Sequence, residues 1–178
     1  PFIGTVGACT GWVVAMYSPK KMAGTPRGFN WATVLRHEFT HVVTLAATDN
    51  RIPHWFTESL AVMQEPQPRR FQWVQQLVAA LRTDRLFPVS EVNWGFIRPK
   101  RRGDRSLAYA QSEWMGEFII EQWGYQRIGD LLKAFKDRKS QPEAFKEVLG
   151  VTEAEFDKKF RQWATDQVQR VWKMSVKP

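Results

Sequence analysis

The chain opens with short runs of β-branched and aromatic residues, then changes near residue 30 to apolar positions spaced three and four apart. Gly11 to Tyr17 (GWVVAMY) predicts a strand, paired with Phe2 to Val6. Residues 18–29 (SPKKMAGTPRGF) are rich in Pro, Gly and Lys and predict a loop. From Trp31 to Ala47, Val34, Leu35, Phe39, Val42, Val43 and Ala46 recur at helical spacing across a wide apolar face, so the pattern predicts a buried helix. Asn30 is its expected N-cap, Phe29 and Val34 a hydrophobic staple around that cap, and Asp49 and Asn50 its end. A second helix, Trp55 to Gln64, is bounded by Pro53 and Pro66. A third runs from Arg69 to Arg82, with Phe71, Val74, Leu77, Val78 and Leu81 on one face.

Residues 83–105 show no period and are expected to be irregular. Leu107 to Trp123 is again helical and closes at Gly124, a suitable residue just past a helix end. Gln126 to Lys136 is a further helix, and Ser140 with Glu143 and Thr152 with Glu155 are capping boxes that each open one. Phe156, Phe160, Trp163 and Val171 form a stripe along the last helix. These elements predict an α+β fold, mostly helical, with strands within residues 1–18, helices over 31–47 and 55–64, and C-terminal helices within 107–172.

Composition narrows the class. At roughly 150 residues per domain, 178 residues predict one domain spanning 1–178. Twelve Phe and nine Trp supply ample surface to bury, which excludes a disordered chain. Cys9 is the only cysteine, so an internal disulfide and a Cys-based zinc site are excluded, and Cys9 is expected to pack as a small apolar residue. No apolar run approaches the length of a membrane-spanning helix. Net charge is +8, and the densest basic run, Arg98 to Arg105, contains Pro99 and Gly103 and reads as an exposed loop. No helix-turn-helix, zinc-finger or ribonucleoprotein signature accompanies it, so the charge is read as a solvated surface and no nucleic-acid partner is expected. The tryptophans follow no repeating interval and are read as packing residues rather than a base-stacking platform. The chain begins with Pro1 and shows no signal peptide, which suggests a domain cut from a longer precursor.

The chemistry lies in the strongest helix, where His37-Glu38-Phe39-Thr40-His41 reads H-E-x-x-H. With three His and eleven Glu in 178 residues, chance placement gives roughly 0.003 such matches. Residues four apart on a helix point about 40° from each other, so His37 and His41 can each turn a ring nitrogen to one metal ion. Glu38 lies beside them, within reach of a metal-activated water. A site of this kind needs a third protein ligand. Thr44 and Ala47 stand where the metzincin pattern has Gly and His, so that pattern fails. Asp49 would have to fold back two turns, and Glu65, at the Pro66 stop, is expected to face solvent. Glu58 would come across from the two histidines if a short turn made the second helix antiparallel.

HEFTH, sixteen intervening residues, and the glutamate of Pro53-His54-Trp55-Phe56-Thr57-Glu58-Ser59-Leu60-Ala61 together resemble the gluzincins, and more narrowly the bacterial peptidase-MA-like domains. Tyr109-Ala110-Gln111-Ser112, Trp123-Gly124 and Gly150 ahead of the last helix are similar too, so the resemblance runs from about Gly11 to Trp163. It implies a zincin-like metalloprotease domain with a small N-terminal β-sheet, an active-site helix and a C-terminal helical bundle. It also implies one zinc ion on His37, His41 and Glu58, Glu38 as general base, and a peptide or protein substrate that adds to the edge of the 11–17 strand. The same resemblance favours a bacterial, extracytoplasmic setting, although the compartment is not read from the sequence itself. The family usually has Gly where this chain has Ser59; a helix interior does not require positive φ, so little harm is expected.

Tyr109 is the candidate second donor to an oxyanion, because it opens a long helix after an irregular segment. His54 is either a donor to substrate or a packing residue. The competing reading is a catalytically inactive metal-binding or interaction domain of a larger protein.

Overall fold

The computed structural model describes residues 7–18, 30–66 and 71–171. Strand β1 (Gly7–Cys9) pairs antiparallel with β2 (Val14–Met16), with Gly7 opposite Met16 and Cys9 opposite Val14. The turn between them uses Gly11 at φ +89°, and its N–H donates to Cys9 Sγ at 3.3 Å. The partner of β2 is thus Gly7–Cys9; the expected strand Phe2 to Val6 lies outside the described residues.

Helix α1 (Trp31–Ala47) starts where Asn30 accepts a hydrogen bond from Thr33 N–H at 3.2 Å. It ends without glycine, at Asp49 and Asn50, which hold φ of 49° and 60°, values their short polar side chains tolerate better than most. Phe29, half of the expected staple, lies outside the described residues. The expected orientation of α1 is reversed. Its buried residues are Thr33, Glu38, His41 and Thr44, while Leu35, Phe39 and Val43 are 41%, 59% and 50% exposed. On the inward face Thr44 and Thr48 donate to the carbonyl four residues back, His41 and Thr44 meet Thr57 of the next helix, and Thr33 Oγ1 has no hydrogen-bond partner among the described residues.

Helix α2 (His54–Met63) follows a short turn and packs against α1. Helix α3 (Phe71–Arg82) buries Val74, Leu77 and Val78 as expected, but Phe71 is exposed. Residues 83–105 are not wholly irregular: α4 (Val92–Ile97) lies within them, and α5 (Asp104–Trp123) begins three residues before the predicted start. Buried Asp104 makes that start by accepting from the N–H groups of Lys100 and Arg101 at 3.0 and 2.8 Å. The basic residues 98–102 are exposed. Helix α6 (Gln126–Lys136) follows Gly124, and α7 (Gln141–Ala144) runs through a π-helical turn (Phe145–Leu149) to Gly150. Helix α8 (Glu153–Val171) completes the described chain, and the side chain of Val171 lies outside it. Both capping boxes form.

The core is aromatic: Trp55, Phe56, Trp114, Phe118, Phe135, Phe145, Phe156 and Phe160 are among its largest fully buried side chains. Helix α5 runs through its middle and meets α2 at Ser59 and Gly116. The architecture is α+β and mostly helical. No described helix is long and apolar enough to cross a membrane.

Candidate metal centre

Two helices build the site. Helix α1 presents His37 and His41, whose ring centroids lie 4.9 Å apart at 78°. Helix α2 returns antiparallel and places Glu58 against them, with its Oε2 3.3 Å from His37 Nε2 and 3.6 Å from His41 Nε2. The first turn of α2 is held from α4, because Asn93 Oδ1 accepts the Trp55 N–H at 2.8 Å. That short helix, absent from the periodicity, therefore helps set where Glu58 stands.

The far nitrogens are also engaged. His37 Nδ1 lies 2.9 Å from Glu65 Oε1, so Glu65 faces the site rather than solvent, correcting the expectation for it. His41 Nδ1 lies 2.8 Å from Thr57 Oγ1, which lies 2.7 Å from Thr44 Oγ1. Each imidazole thus turns Nδ1 to a protein partner and Nε2 to Glu58.

Glu58 Oε2 is buried and makes no hydrogen bond among the described residues. A carboxylate oxygen left so is costly unless a cation meets it. A four-coordinate ion with ligands at about 2.0–2.2 Å separates neighbouring ligand atoms by about 3.4 Å, which matches the observed Nε2 to Oε2 distances. His37, His41 and Glu58 are the group of described residues whose ligand atoms all lie within 4.8 Å of one another. The residues fit a metal ion.

The electrostatics agree. Burial alone would lower the His37 pKa, but the carboxylates of Glu58 and Glu65 outweigh it and raise it to about 9. Burial alone would raise that of Glu58, but the two imidazoles outweigh it and hold Glu58 well below the usual carboxylate range. The cluster stabilises positive charge between these three side chains.

Glu38 is buried one position from His37. Burial raises its pKa and Glu58 adds to the rise, against the pull of His37 and His41. Its carboxylate rests on the backbone of Gly7, where a Cβ would come within 2.6 Å of Glu38 Oε1. The strand touching Glu38 is therefore β1.

Tyr109 lies in the second turn of α5, stacked on Trp73 at 6.0 Å and edge-on to Phe96 at 4.8 Å. Burial raises its pKa and the negative charge of Glu58 adds to this, so it stays a neutral phenol. His54 Nε2 stands 3.5 Å from Glu58 Oε1, and its ring packs edge-on to Phe96. Burial lowers the His54 pKa. Asp49 is exposed and pairs with Arg51 at 3.0 Å, outside the cluster.

Sequence reasoning missed Glu65, Thr57 and Thr44. Thr44 carried a signal, since it lies three residues from His41 on the same helical face, whereas Thr57, one residue before Glu58, carried none.

A family model described as Peptidase MA superfamily matches residues 18–166. No curated protein matches the chain, and no solved structure does.

Proposed function

The chain belongs to the peptidase MA superfamily, and on that premise we propose that it is a zinc-dependent peptidase of gluzincin type. His37, His41 and Glu58 would hold one zinc ion, and Glu38 would act as general base. The observation that carries this reading is the buried Glu58 Oε2, which lacks a hydrogen bond among the described residues and is flanked by two Nε2 atoms at tetrahedral ligand spacing.

When bound, zinc supplies Lewis-acid polarisation and a water acidic enough to ionise near neutral pH. Glu38 would take a proton from the attacking water on a carboxylate oxygen as the water's oxygen bonds to the scissile carbonyl carbon. Glu38 then passes the proton to the amine nitrogen as the C–N bond breaks. Tyr109, kept protonated by its surroundings, donates to the carbonyl oxygen as negative charge gathers there. The substrate is a peptide or protein.

The test pairs metal content with digestion of a broad peptide library. We expect about one zinc per chain, zinc-dependent cleavage, and a Glu38→Gln variant that keeps the metal and loses at least about 100-fold of the rate. Full activity in Glu38→Gln would refute the assignment of the base. Zinc bound with no cleavage of any library would favour a metal-binding domain without turnover.

A further inference from the structure

We propose that Thr44 and Glu65, neither of which touches the ligand-facing nitrogens, are positioning residues that fix the tautomers of His41 and His37 and so decide which ring nitrogen is free for the metal. The inference rests on the metal site proposed above and adds to it the proton arrangement behind the ligands.

The argument is a count of protons. Across the 2.9 Å contact with the Glu65 carboxylate, the neutral imidazole that a metal requires donates from His37 Nδ1, which leaves the lone pair on Nε2. His41 faces a hydroxyl, which could donate or accept, so its contact alone leaves the tautomer open. Thr44 resolves it. We assign its single hydroxyl proton to the helix carbonyls within reach, Thr40 at 2.9 Å and His41 at 3.3 Å, oxygens that can only accept. With that assignment Thr44 has none left for Thr57, and the 2.7 Å contact between them, which either oxygen could donate, runs from Thr57 O–H to Thr44 Oγ1. With that proton committed, Thr57 can only accept from His41 Nδ1–H. Both Nε2 atoms then carry lone pairs on the side of Glu58, as metal ligation requires.

The two arms differ in kind. A charged carboxylate stands behind His37 and a chain of neutral hydroxyls behind His41. Thr57 and Glu58 are consecutive in α2, so the helix that brings the third ligand also brings the acceptor for His41. Thr44 and Thr57 are both buried, so water does not compete for these hydrogen bonds. Thr44→Val removes the acceptor for the Thr57 proton. That hydroxyl is then free to donate to His41 Nδ1, which would leave the ring's proton on Nε2.

The experiment measures zinc dissociation constants by competition with a chelator for the wild-type chain, Thr44→Val, Thr44→Ser, Glu65→Ala and Glu65→Gln. Circular dichroism checks each fold, and ¹⁵N-histidine spectra of the zinc-loaded proteins report which ring nitrogen keeps its proton. Thr44→Val and Glu65→Ala should each weaken binding about 10–100-fold. Thr44→Ser, which keeps the hydroxyl, should stay within about threefold of wild type, and Glu65→Gln, which keeps an acceptor without the charge, should fall between. His41 should show its proton on Nδ1 in the wild type. Equal affinity in folded Thr44→Val and Thr44→Ser, or a proton on His41 Nε2, overturns the proposal for the hydroxyl arm. Glu65 follows α2 in a partly exposed position, so Glu65→Ala tests the other arm even if Thr44→Val does not fold; unchanged affinity there overturns that arm. A wild-type chain that binds no zinc refutes the metal site itself, whereas a zinc-binding wild type with indifferent variants refutes only this inference.

Discussion

The seating of Glu58 depends on a contact between two small residues, and that contact can be tested quantitatively. Ser59, next to Glu58, is fully buried where α2 crosses α5, and a Cβ built on Gly116 would meet Ser59 Oγ at 2.1 Å and Met63 Sδ at 3.0 Å. Ordinary contact begins at 3.4 Å, so Gly116→Ala requires the helices to part or Ser59 and Met63 to move. Overpacking a tight interior costs about 1–3 kcal/mol, while alanine in place of glycine inside a helix returns about 1 kcal/mol. The expected net loss for Gly116→Ala is about 1 kcal/mol. Ser59→Gly alone should cost about 0.5 kcal/mol in helix propensity, plus a little packing. In the double variant the new methyl group occupies the space of the lost hydroxymethyl group, so the overpacking disappears and the alanine gain remains. The pair should therefore be more stable than the sum of its singles by about 2 kcal/mol. Urea unfolding of all four proteins in chelator-treated buffer measures this without a contribution from bound metal. Additivity within about 0.5 kcal/mol would refute the argument that serine at 59 and glycine at 116 are one packing unit.

Gly7→Ala should displace the Glu38 carboxylate, lowering turnover on the order of 100-fold with zinc affinity within about twofold; unchanged turnover would show that the strand does not fix the base. Zinc at 100 times its dissociation constant should raise unfolding free energy by about 2.7 kcal/mol in the wild type and far less in Glu58→Ala, read by the same urea titration. Asp157, which accepts the Val89 N–H at 3.0 Å, is pushed by burial from 3.8 to about 6, against the pull of that hydrogen bond and of Arg161. The folded state thus holds this proton more tightly, so the contribution to stability is complete below pH 3.8 and is lost as pH rises through about 6. Asp157→Asn keeps an acceptor for Val89 and should stabilise the chain by about 1 kcal/mol at pH 7, after allowance for solvent screening, and by little at pH 3.5; equal effects at both would refute the linkage.

Helix existence and the identity of the nearby ligand candidates were legible because both follow from local spacing. The α1 range follows from an N-cap at Asn30 and a stop at Asp49 and Asn50, signals that act within one turn. Glu58 follows from the turn at Pro53, since an antiparallel return fixes which residues of α2 can meet α1. Helix α4 was not legible, because six residues span less than two turns and establish no period. Glu65 was missed for a different reason. It follows the end of α2, where a solvent-facing position is the ordinary outcome, and only the height at which α2 returns beside α1 brings it to His37.

The orientation of α1 is the more instructive miss, because the sequence contains two stripes at the same period. Leu35, Phe39 and Val43 make one, and Thr33, His37, His41, Thr44 and Thr48 make the other. The general preference for burying apolar faces selects the first. Yet a pair of metal-ligand histidines needs a third ligand from another element, so a face that carries them must turn towards the rest of the protein. The threonines on that face make such burial possible, since each helical threonine can return its proton to a carbonyl of its own helix and leave its oxygen free to accept. A polar stripe containing HExxH and flanked by threonines four apart is thus itself a burial signal, and it competes with the apolar stripe on equal terms. The apolar stripe, displaced outward, is left as the exposed side of the helix.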